Sequence, residues 1–388
     1  MSQPLEPPTP TWDVVVVGGG AAGAAAAFHL ANGGRSVLVL EQQRYPRSKP
    51  CGGGMAASVQ RLFPFDLSPA VDSVIEQVRF SWCLEDPVTA VLAGDAPFWI
   101  VRRSVLDAYL IEQAKAAGAT VVEGTTVLSA AREGGHWLVR GEAGDYRCRA
   151  VVIADGSGSQ LAAQLGLGPA KPRFASTVSV DLEGPVAEKH TAYFEFGLVR
   201  HGFCWAFPRE GGYSIGVGTF IGPDAADSDA VLSQLLPSLG FAADAGERRP
   251  GQLRIWDGHH ALHGRGPTAG AVAVGDAASL CDPFLAEGLR PALLSGCRAA
   301  AALERWLGGD AMALGDYSTQ MKNEWGDSMA WGKRIAQVYY RLTKVGYQLG
   351  VKRPTAPQRI GQILSGDMGY GDIAQRVIKR LLFQRKGA

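Results

Sequence analysis

The 388-residue sequence predicts an α/β fold, in which a parallel sheet built from separate stretches of chain carries an inserted sheet domain and a helical C-terminal region. Three observations lead to this prediction. A valine-rich run at 13–17 is followed by a glycine turn and an alanine-rich helix at 21–32. Short strand-like runs with intervening turns occupy 74–101 and 175–220. From about residue 325 the apolar pattern is helical.

The composition is that of a globular enzyme with more than one domain. Hydrophobic residues make up 46% and charged residues 19% of the chain, which argues against a disordered or fibrous protein. The length favours a nucleotide-binding domain with one or two smaller modules. The net charge of only +1 gives no general attraction to nucleic acid, so we expect no nucleic-acid partner. The charge is nevertheless unevenly distributed, because residues 332–388 contain twelve Lys and Arg against two Asp.

Cysteine spacing and the apolar segments predict the cellular compartment of the protein. The six cysteines lie at least sixteen residues apart, so none has the spacing of a redox pair or a zinc knuckle. Residues 1–11 carry no basic region of the kind that begins a secretory signal. The apolar stretch 14–30 is interrupted by glycines and fits a strand, turn and helix better than a membrane span. We expect a cytoplasmic monomer with reduced thiols.

The first βαβ unit is the clearest element. A strand at 13–17, a helix at 21–32 and a second strand at 36–40 that stops at Glu41 predict a right-handed parallel crossover. Later strands expected to join the same sheet lie at 120–122, 137–140, 150–154 and 271–274. Because inserted segments separate these strands, we expect a domain that is discontinuous in sequence.

The expected elements divide the chain into three regions. The predicted boundaries are 12–73, 102–170 and 268–324 for the parallel-sheet domain, 74–101 and 171–267 for the inserted, mainly antiparallel substrate domain, and 325–388 for the helical C-terminal region. In the last region Ile335, Val338, Tyr339 and Leu342 have the spacing of one apolar helix face.

Gly18, Gly20 and Gly23 form a G-x-G-x-x-G fingerprint between the first strand and the first helix, and Glu41 follows about 20 residues later. In this Rossmann-type pattern the first glycine permits a tight turn, the second lets backbone amides reach a pyrophosphate, and the third allows close helix packing. The acid is expected to bind ribose hydroxyls. Strand, spacing and acid together favour a dinucleotide site over a glycine turn without a ligand.

The fingerprint alone does not separate NAD from FAD, so later motifs decide the cofactor. These motifs are Arg103 with Asp107, the strand ending in Ala154-Asp155-Gly156, and Gly275-Asp276 followed by Pro283 and Glu287-Gly288-Leu289. They resemble flavoprotein hydroxylases and reductases of the glutathione-reductase and para-hydroxybenzoate-hydroxylase-like fold. The resemblance implies that FAD is bound, that Asp276 holds its ribityl or pyrophosphate end, and that the helix after Gly288 points its N-terminal dipole at the flavin.

Two further segments resemble the geranylgeranyl reductases. Lys49-Pro50-Cys51-Gly52-Gly53-Gly54 is similar to their cysteine-glycine loop beside the flavin, and Phe203-x-Trp205-x-Phe207-Pro208 is similar to their Tyr-x-Trp-x-Phe-Pro substrate motif. The resemblance covers residues 13 to about 298. It departs where Phe203 replaces a tyrosine and where Ala286 replaces a glycine. We expect the lost hydroxyl to alter a substrate contact and the alanine to tighten the flavin loop.

This resemblance implies a reaction and a set of site residues. The implied reaction is reduction of C=C bonds in a geranylgeranyl-type chain by hydride from reduced FAD, with NADPH or ferredoxin as transient electron donor. Cys51 or a nearby water is the expected proton source. Phe203, Trp205 and Phe207 are the expected wall of an apolar substrate tunnel. The expected FAD-binding residues are Gly18, Gly20, Ala21, Ala22, Gly23, Glu41, Gln42, Lys49, Cys51, Gly52, Gly53, Arg103, Val127, Asp155, Gly156, Gly275, Asp276, Pro283, Gly288 and Leu289.

Other interpretations of the same residues stay open. Alternation of Phe203, Trp205 and Phe207 is also typical of the core face of a strand, and Cys51 is also typical of an inert loop thiol. The same fold serves FAD-dependent monooxygenases and halogenases, which require oxygen. A quinone-coupled electron-transfer flavoprotein oxidoreductase is a weaker alternative, because its iron-sulfur cluster needs four grouped cysteines.

Two remaining segments have a composition that is found in metal sites or in membrane-interface helices. His259, His260 and His263 form an H-H-x-x-H cluster, but no helix is predicted there and we expect no metal site. Residues 373–383 place apolar side chains on one face and basic ones elsewhere, which suits a helix lying in a membrane interface. A C-terminal helix docked on the protein with a solvated basic side explains the pattern equally well.

Overall fold

The computed structural model describes residues 11–93, 97–220, 228–353 and 355–376. Within these ranges the strands are β1 Thr11–Val17, β2 Val37–Glu41, β3 Gly54–Ala56, β4 Val71–Ile75, β5 Gln77–Trp82, β6 Glu85–Val91, β7 Phe98–Val101, β8 Thr120–Glu123, β9 Val127–Glu133, β10 His136–Gly141, β11 Gly144–Ile153, β12 Arg173–Glu183, β13 Thr191–Phe196, β14 Gly202–Arg209, β15 Gly212–Thr219, β16 Arg249–Ile255 and β17 Ala271–Ala273. The α-helices are α1 Ala21–Asn32, α2 Arg103–Ala116, α3 Leu161–Gln164, α4 Ser228–Leu235, α5 Leu289–Leu307, α6 Ala313–Met321, α7 Asp327–Tyr339, α8 Thr343–Gly346 and α9 Ala356–Leu364.

The main sheet has the order β8-β2-β1-β11, with β17 also pairing in parallel with β11. Val15 at its centre pairs with Leu38 on one side and Val151 on the other. Residues 14–17 of β1, all of β2 and residues 150–153 of β11 are buried and mostly valine, isoleucine, leucine or alanine, as expected for strands inside a parallel sheet. The predicted βαβ unit and the return of later strands to this sheet are confirmed.

An antiparallel extension of this sheet was not predicted in full. β9 pairs antiparallel with β10, and β10 pairs antiparallel with the first half of β11, so β11 begins at residue 144 rather than 150. Only Cys148 is buried among residues 144–149, which gives a weaker sequence signal than the buried second half of the strand.

The second sheet has the order β16-β12-β15-β14-β13-β5-β6, antiparallel except where β13 runs parallel to β5. Every residue of β14 is buried because the strand lies between two cores. Phe203, Trp205 and Phe207 pack in the main core, whereas Cys204 and Ala206 pack with α4 on the other side. The predicted fold class, with a mainly antiparallel inserted sheet, is confirmed.

The sequence analysis assigned all of residues 74–101 to the inserted sheet, and this is wrong for part of the segment. β4 and β7 pair with β3 in a separate three-stranded sheet, and β5 and β6 join the second sheet. β3 directly follows the cysteine-glycine loop, so the small sheet holds that loop in place.

The C-terminal region is helical, but its predicted apolar face is wrong at two positions. Val338 and Leu342 are 66% and 58% exposed, although Tyr339 is buried. The buried face of α7 is instead formed by Met329, Gly332, Ala336 and Tyr339, which lies about one residue around the helix from the predicted face. Residues 377–383 of the predicted interfacial helix lie outside the described ranges.

The predicted C-terminal helix was the only segment in which sequence suggested membrane contact. Across the described ranges, no helix combines the length and the apolar character that spanning a bilayer requires.

Candidate active site

An elongated cavity of about 810 Å³ opens at the carboxyl edge of the main sheet and extends to the second sheet. Its lining includes Val17, Glu41, Ala154 and Val274, which end or directly follow β1, β2, β11 and β17. This edge is where open α/β sheets bind their ligands. The volume lies in the range of about 300–1,000 Å³ that is usual for cofactor and small-molecule sites.

The glycine fingerprint forms one wall of the cavity. Gly18 has a φ of +94°, and a Cβ added at Gly23 would lie 1.9 Å from the Gly18 carbonyl oxygen. Gly20 caps α1 without any side-chain hydrogen bond, and Ala21 and Ala22 of the first turn line the cavity. The first amides of α1 therefore face the cavity without a capping side chain, which suits an anionic phosphate.

Glu41 lies at the end of β2 in the same wall. Its Oε2 accepts a hydrogen bond from the Gly19 amide at 2.8 Å, and its Oε1 accepts one from the Gln43 amide at 3.0 Å. A carboxylate has about four acceptor positions, so oxygen lone pairs remain for ribose hydroxyls. The two backbone amides hold the carboxylate in place before any ligand arrives.

Arg103 begins α2 and is held by a bidentate ion pair. Its Nε and Nη2 donate to the two carboxylate oxygens of Asp107 at 2.9 and 2.7 Å. Burial disfavours the charged guanidinium, but Asp107 more than compensates and keeps the pKa of Arg103 above its ordinary value. Arg47 also pairs with Asp107, at 2.9 Å. The cavity therefore has a fixed, buried cationic wall.

The cysteine-glycine loop crosses from the main sheet towards the second sheet. The Gly53 amide donates to Cys51 Sγ at 3.4 Å, and Arg209 Nη2 donates to the Cys51 carbonyl at 3.4 Å. Gly53 has a φ of +85°, and a Cβ there would lie 2.1 Å from the Val101 carbonyl oxygen. The loop is therefore pinned between β7 and β14, with the half-buried thiol at the cavity wall.

A second loop, between β17 and α5, lines the opposite part of the cavity. The fully buried Asp282 accepts hydrogen bonds from the Phe284 amide at 2.6 Å and the Leu285 amide at 3.1 Å. Ala286 has a φ of +59°, a left-handed conformation that costs an alanine energy but suits a glycine. Gly288 then caps α5 without a side-chain hydrogen bond, so a second helix N-terminus faces the cavity.

Glu287 lies in this loop and was not among the predicted site residues. Its Oε2 accepts from Arg290 Nη2 at 2.7 Å, while its buried Oε1 has no partner among the described residues. Burial raises the pKa of Glu287 to about 7; Arg290 opposes this rise and Asp282 adds to it. The sequence signal was available, because Glu287 directly precedes the glycine of the second flavin motif.

An aromatic wall closes the cavity at the second sheet. Phe203 and Phe207 of β14 contact Phe194 of β13 with ring centroids 5.6 and 5.3 Å apart, and Phe203 contacts Phe220 at 5.3 Å. Trp205 is 7% exposed, and its Nε1 has no hydrogen-bond partner among the described residues. The wall is therefore apolar, with one buried N–H donor available to a ligand.

Most of the predicted site residues line this one cavity. Gly23, Gly275 and Pro283 are the exceptions. Gly23 packs against Gly18, and a Cβ on Gly275 would lie 2.9 Å from the Ala22 Cβ, so both glycines serve close packing. Cavity residues that sequence reasoning missed include Arg47, Phe98, Thr125, Ser157, Phe194, Phe220, Leu285 and Glu287. Ser157, Leu285 and Glu287 lie next to predicted motifs, whereas Phe98, Phe194 and Phe220 belong to separate strands that only folding brings together, or directly follow one.

The three clustered histidines do not converge on one point. His259 pairs with Asp327 at 3.3 Å and His260 with Asp257 at 3.1 Å. His263 is within hydrogen-bond distance of Ser318. Within the described ranges no group of three or more His, Cys, Asp or Glu side chains is arranged to hold a metal ion.

The residues present fit a flavin dinucleotide. Two uncapped helix N-termini suit its diphosphate and the electron-rich part of its ring, and Glu41 suits a ribose. The unpartnered indole N–H of Trp205 also indicates that a polar ligand belongs in the cavity.

Comparison with known proteins supports the same cofactor. A model described as FAD binding domain matches residues 13–79, and one described as FAD dependent oxidoreductase matches residues 85–274. Digeranylgeranylglycerophospholipid reductase 2 of Methanothermobacter thermautotrophicus is 31% identical over 353 residues, covering 86% of this chain and 86% of that protein.

Solved structures show the same fold at lower identity. A geranylgeranyl bacteriochlorophyll reductase-like protein from Thermoplasma acidophilum matches with a TM-score of 0.75 and 21% identity, over 92% of this chain and 91% of that one. A flavin-dependent brominase matches with a TM-score of 0.70 and 20% identity, over 97% of this chain and 100% of that one. One fold thus accommodates reductase-like and halogenating flavoproteins, and the residues of the site must distinguish them.

Proposed function

The chain belongs to the geranylgeranyl reductase family of FAD-dependent oxidoreductases, and we propose that it reduces C=C bonds of a geranylgeranyl-type prenyl chain. One observation carries the proposal. The aromatic wall of Phe203, Trp205 and Phe207 lines the same cavity as the cysteine-glycine loop and the two uncapped helix N-termini. A hydrocarbon chain and a dinucleotide therefore share one site.

Reduced FAD supplies the hydride when it is bound. The first turn of α1 would hold the diphosphate, and Glu41 would hold a ribose. The N-terminus of α5 would favour negative charge on a flavin ring bound in the cavity.

The second carbon of the alkene must receive a proton, and we propose the Cys51 thiol as its source. The S–H bond breaks, a C–H bond forms, and the thiolate left on Sγ later takes a proton from water. The Gly53 amide donates a hydrogen bond to Cys51 Sγ at 3.4 Å, so a donor already faces the sulfur on which the thiolate would form.

Glu287 is a second candidate for the same step. It lines the cavity, is buried, and has a carboxyl oxygen without a partner among the described residues. A pKa of about 7 keeps a substantial fraction of this carboxyl group protonated at neutral pH. Proton transfer from Glu287 would leave a carboxylate facing Arg290, which is 2.7 Å away.

The aromatic wall binds and orients the chain. Burial of a prenyl chain contributes about 0.8 kcal/mol per CH₂ group, which is enough to extract it from water. Phe194 and Phe220 extend the wall beyond β14, so bulk water is kept from the reacting carbons. Holding the alkene in one orientation is the positional part of catalysis.

We further propose NADPH or ferredoxin as a transient electron donor. The sequence has no second G-x-G-x-x-G that follows a predicted strand, so a second resident dinucleotide is not expected.

Anaerobic turnover tests the proposal. The purified holoprotein is reduced with dithionite and mixed with geranylgeranyl diphosphate, a digeranylgeranylglycerol phospholipid or a prenylated quinone. We expect reoxidation of the flavin with one substrate and a gain of two hydrogens per reduced bond by mass spectrometry. Reoxidation by oxygen alone, with substrate-dependent formation of an oxygenated or halogenated product, would instead establish a monooxygenase or halogenase. Rapid reoxidation by a quinone with its side chain unchanged would establish a quinone oxidoreductase.

A further inference from the structure

Four large apolar side chains form an exposed stripe in the C-terminal region. Val338 and Leu342 are 66% and 58% exposed, and Val345 and Leu349 are 51% and 57% exposed. All four lie within twelve residues, which span the end of α7, the non-helical Leu342, α8 and the one-turn π-helix Tyr347–Val351. These four residues are called the outer stripe.

The inner side of the same segment already contacts the protein core. The Tyr339 ring packs against Phe196 at 5.4 Å, and the Tyr340 ring stacks on Phe220 at 5.5 Å. Tyr347 is fully buried and donates a 2.6 Å hydrogen bond to the Asp86 carbonyl. The outer stripe is thus exposed although the segment that carries it is packed on the core. Phe220, which contacts Tyr340 of this segment, also lines the cavity.

The charge around the outer stripe has one sign. Residues 328–366 contain seven Lys and Arg and no Asp or Glu. Arg341, Lys344 and Arg353 are exposed, and none of the carboxylates in the described ranges lies within ion-pair distance of them. Exposed apolar side chains interspersed with unpaired cations are typical of a surface that lies on an anionic membrane.

The acids of the β5–β6 hairpin neutralise only part of this charge. Asp86 is paired with Lys352 at 2.5 Å, and it belongs to the β5–β6 hairpin rather than to the helical segment. Glu85 on the same hairpin is exposed. The helical segment itself therefore stays strongly cationic.

We propose that the outer stripe is a membrane-contact surface, with an anionic phospholipid bilayer as its partner. The apolar side chains enter the acyl boundary, and Arg341, Lys344 and Arg353 meet lipid phosphates. A second copy of this chain is a poorer partner, because a symmetric contact would bring the two cationic segments against each other. The inference goes beyond the proposed function, since it concerns a surface whose residues do not line the cavity.

Vesicle flotation of the holoprotein tests the surface without any substrate, so its outcome is independent of the reductase assay. We expect binding to phosphatidylcholine vesicles with about one third phosphatidylglycerol, and binding at least about tenfold weaker to phosphatidylcholine alone. The double variant Leu342→Gln with Leu349→Gln should bind the mixed vesicles at least about tenfold more weakly.

The matched control is Val105→Gln with Met312→Gln, which replaces side chains that are 44% and 70% exposed elsewhere on the protein. It should bind like the wild type. Flavin content and thermal midpoint confirm that each variant is folded. Should the stripe variant fail to fold, Arg341→Gln with Lys344→Gln provides the test, with weaker and less salt-sensitive binding expected.

Any of four results would overturn the proposal. The first is that the wild type does not bind the mixed vesicles. The second is that a folded stripe variant binds them as strongly as the wild type does. The third is a wild-type dimer that the stripe variant dissociates, with no vesicle binding by either. A chain shortened after residue 376 must still bind; loss of binding only in that chain would assign the contact to the tail instead.

Discussion

The phenol of Tyr370 donates a 2.6 Å hydrogen bond to the Asp282 carboxylate, which lies 88 residues earlier in the chain. Both side chains are buried. Asp282 in turn holds the amides of Phe284 and Leu285 in the loop that precedes α5. The C-terminal region therefore stabilises the loop that precedes α5 and lines the cavity.

Tyr370→Phe should destabilise the protein by about 1–3 kcal/mol, because a buried carboxyl group loses a donor. The loop should also hold FAD less tightly. Urea unfolding and FAD titration of the apoprotein measure the two effects. Tyr347→Phe is the matched control: it loses a buried hydrogen bond to a neutral carbonyl and should leave FAD affinity unchanged. Equal FAD affinity in all three proteins would contradict the role given to Tyr370.

Glu287→Gln should change how stability depends on pH. Burial raises the pKa of Glu287 from about 4.5 to about 7, against the opposing effect of Arg290 and with that of Asp282. The folded protein thus binds this proton more tightly than the unfolded chain. The associated stabilisation is complete below pH 4.5 and is lost as pH rises to about 7. The variant lacks this loss, so the wild type should weaken relative to it by up to about 3 kcal/mol across that range. Urea unfolding at several pH values measures the difference, and a constant difference would contradict the raised pKa.

Cys51→Ala should retain FAD but lose turnover by about 10²-fold or more, because the proposed proton source is removed. Flavin absorbance and the anaerobic assay separate the two effects. Cys83→Ala replaces an exposed thiol and should have wild-type activity. Full activity of Cys51→Ala together with loss of activity in Glu287→Gln would transfer the proton-donor role to Glu287.

Ala286→Gly should stabilise the protein slightly. The left-handed backbone at Ala286 destabilises the folded protein by about 1–2 kcal/mol when the residue is alanine. Glycine avoids this strain but lowers stability by about 0.4–1 kcal/mol, because it gives the unfolded chain more conformational entropy. The expected net gain is about 1 kcal/mol in the free energy of unfolding. A control at Ala292→Gly, inside α5, should be destabilising instead. Destabilisation by Ala286→Gly would mean that the alanine methyl makes a contact worth more than the strain.

Local motifs predicted much of the site. Gly18, Gly20 and Glu41 line the cavity as expected, since each acts within one strand-turn-helix unit. Phe203, Trp205 and Phe207 reach the cavity because strand alternation places them on one face. The alternative that they are core residues is partly right as well, because they pack in the main core while lining the cavity.

Residues far apart in sequence were not predicted. Phe194 and Phe220 complete the aromatic wall, yet neither belongs to a recognisable motif. Their positions depend on β13 and β15 pairing with β14, a relationship that local periodicity does not encode. The same limit explains the separate sheet of β3, β4 and β7, which forms from distant segments.

Short-range spacing of glycines, acids and valines was enough to predict the dinucleotide fingerprint and the α/β class, and two short motifs carried the resemblance to the family. The buried face of α7, the raised pKa of Glu287 and the left-handed backbone of Ala286 depend instead on tertiary packing. Burial and backbone strain are set by neighbours from other elements. They become defined only when the sheets and the C-terminal helices have packed around the cavity.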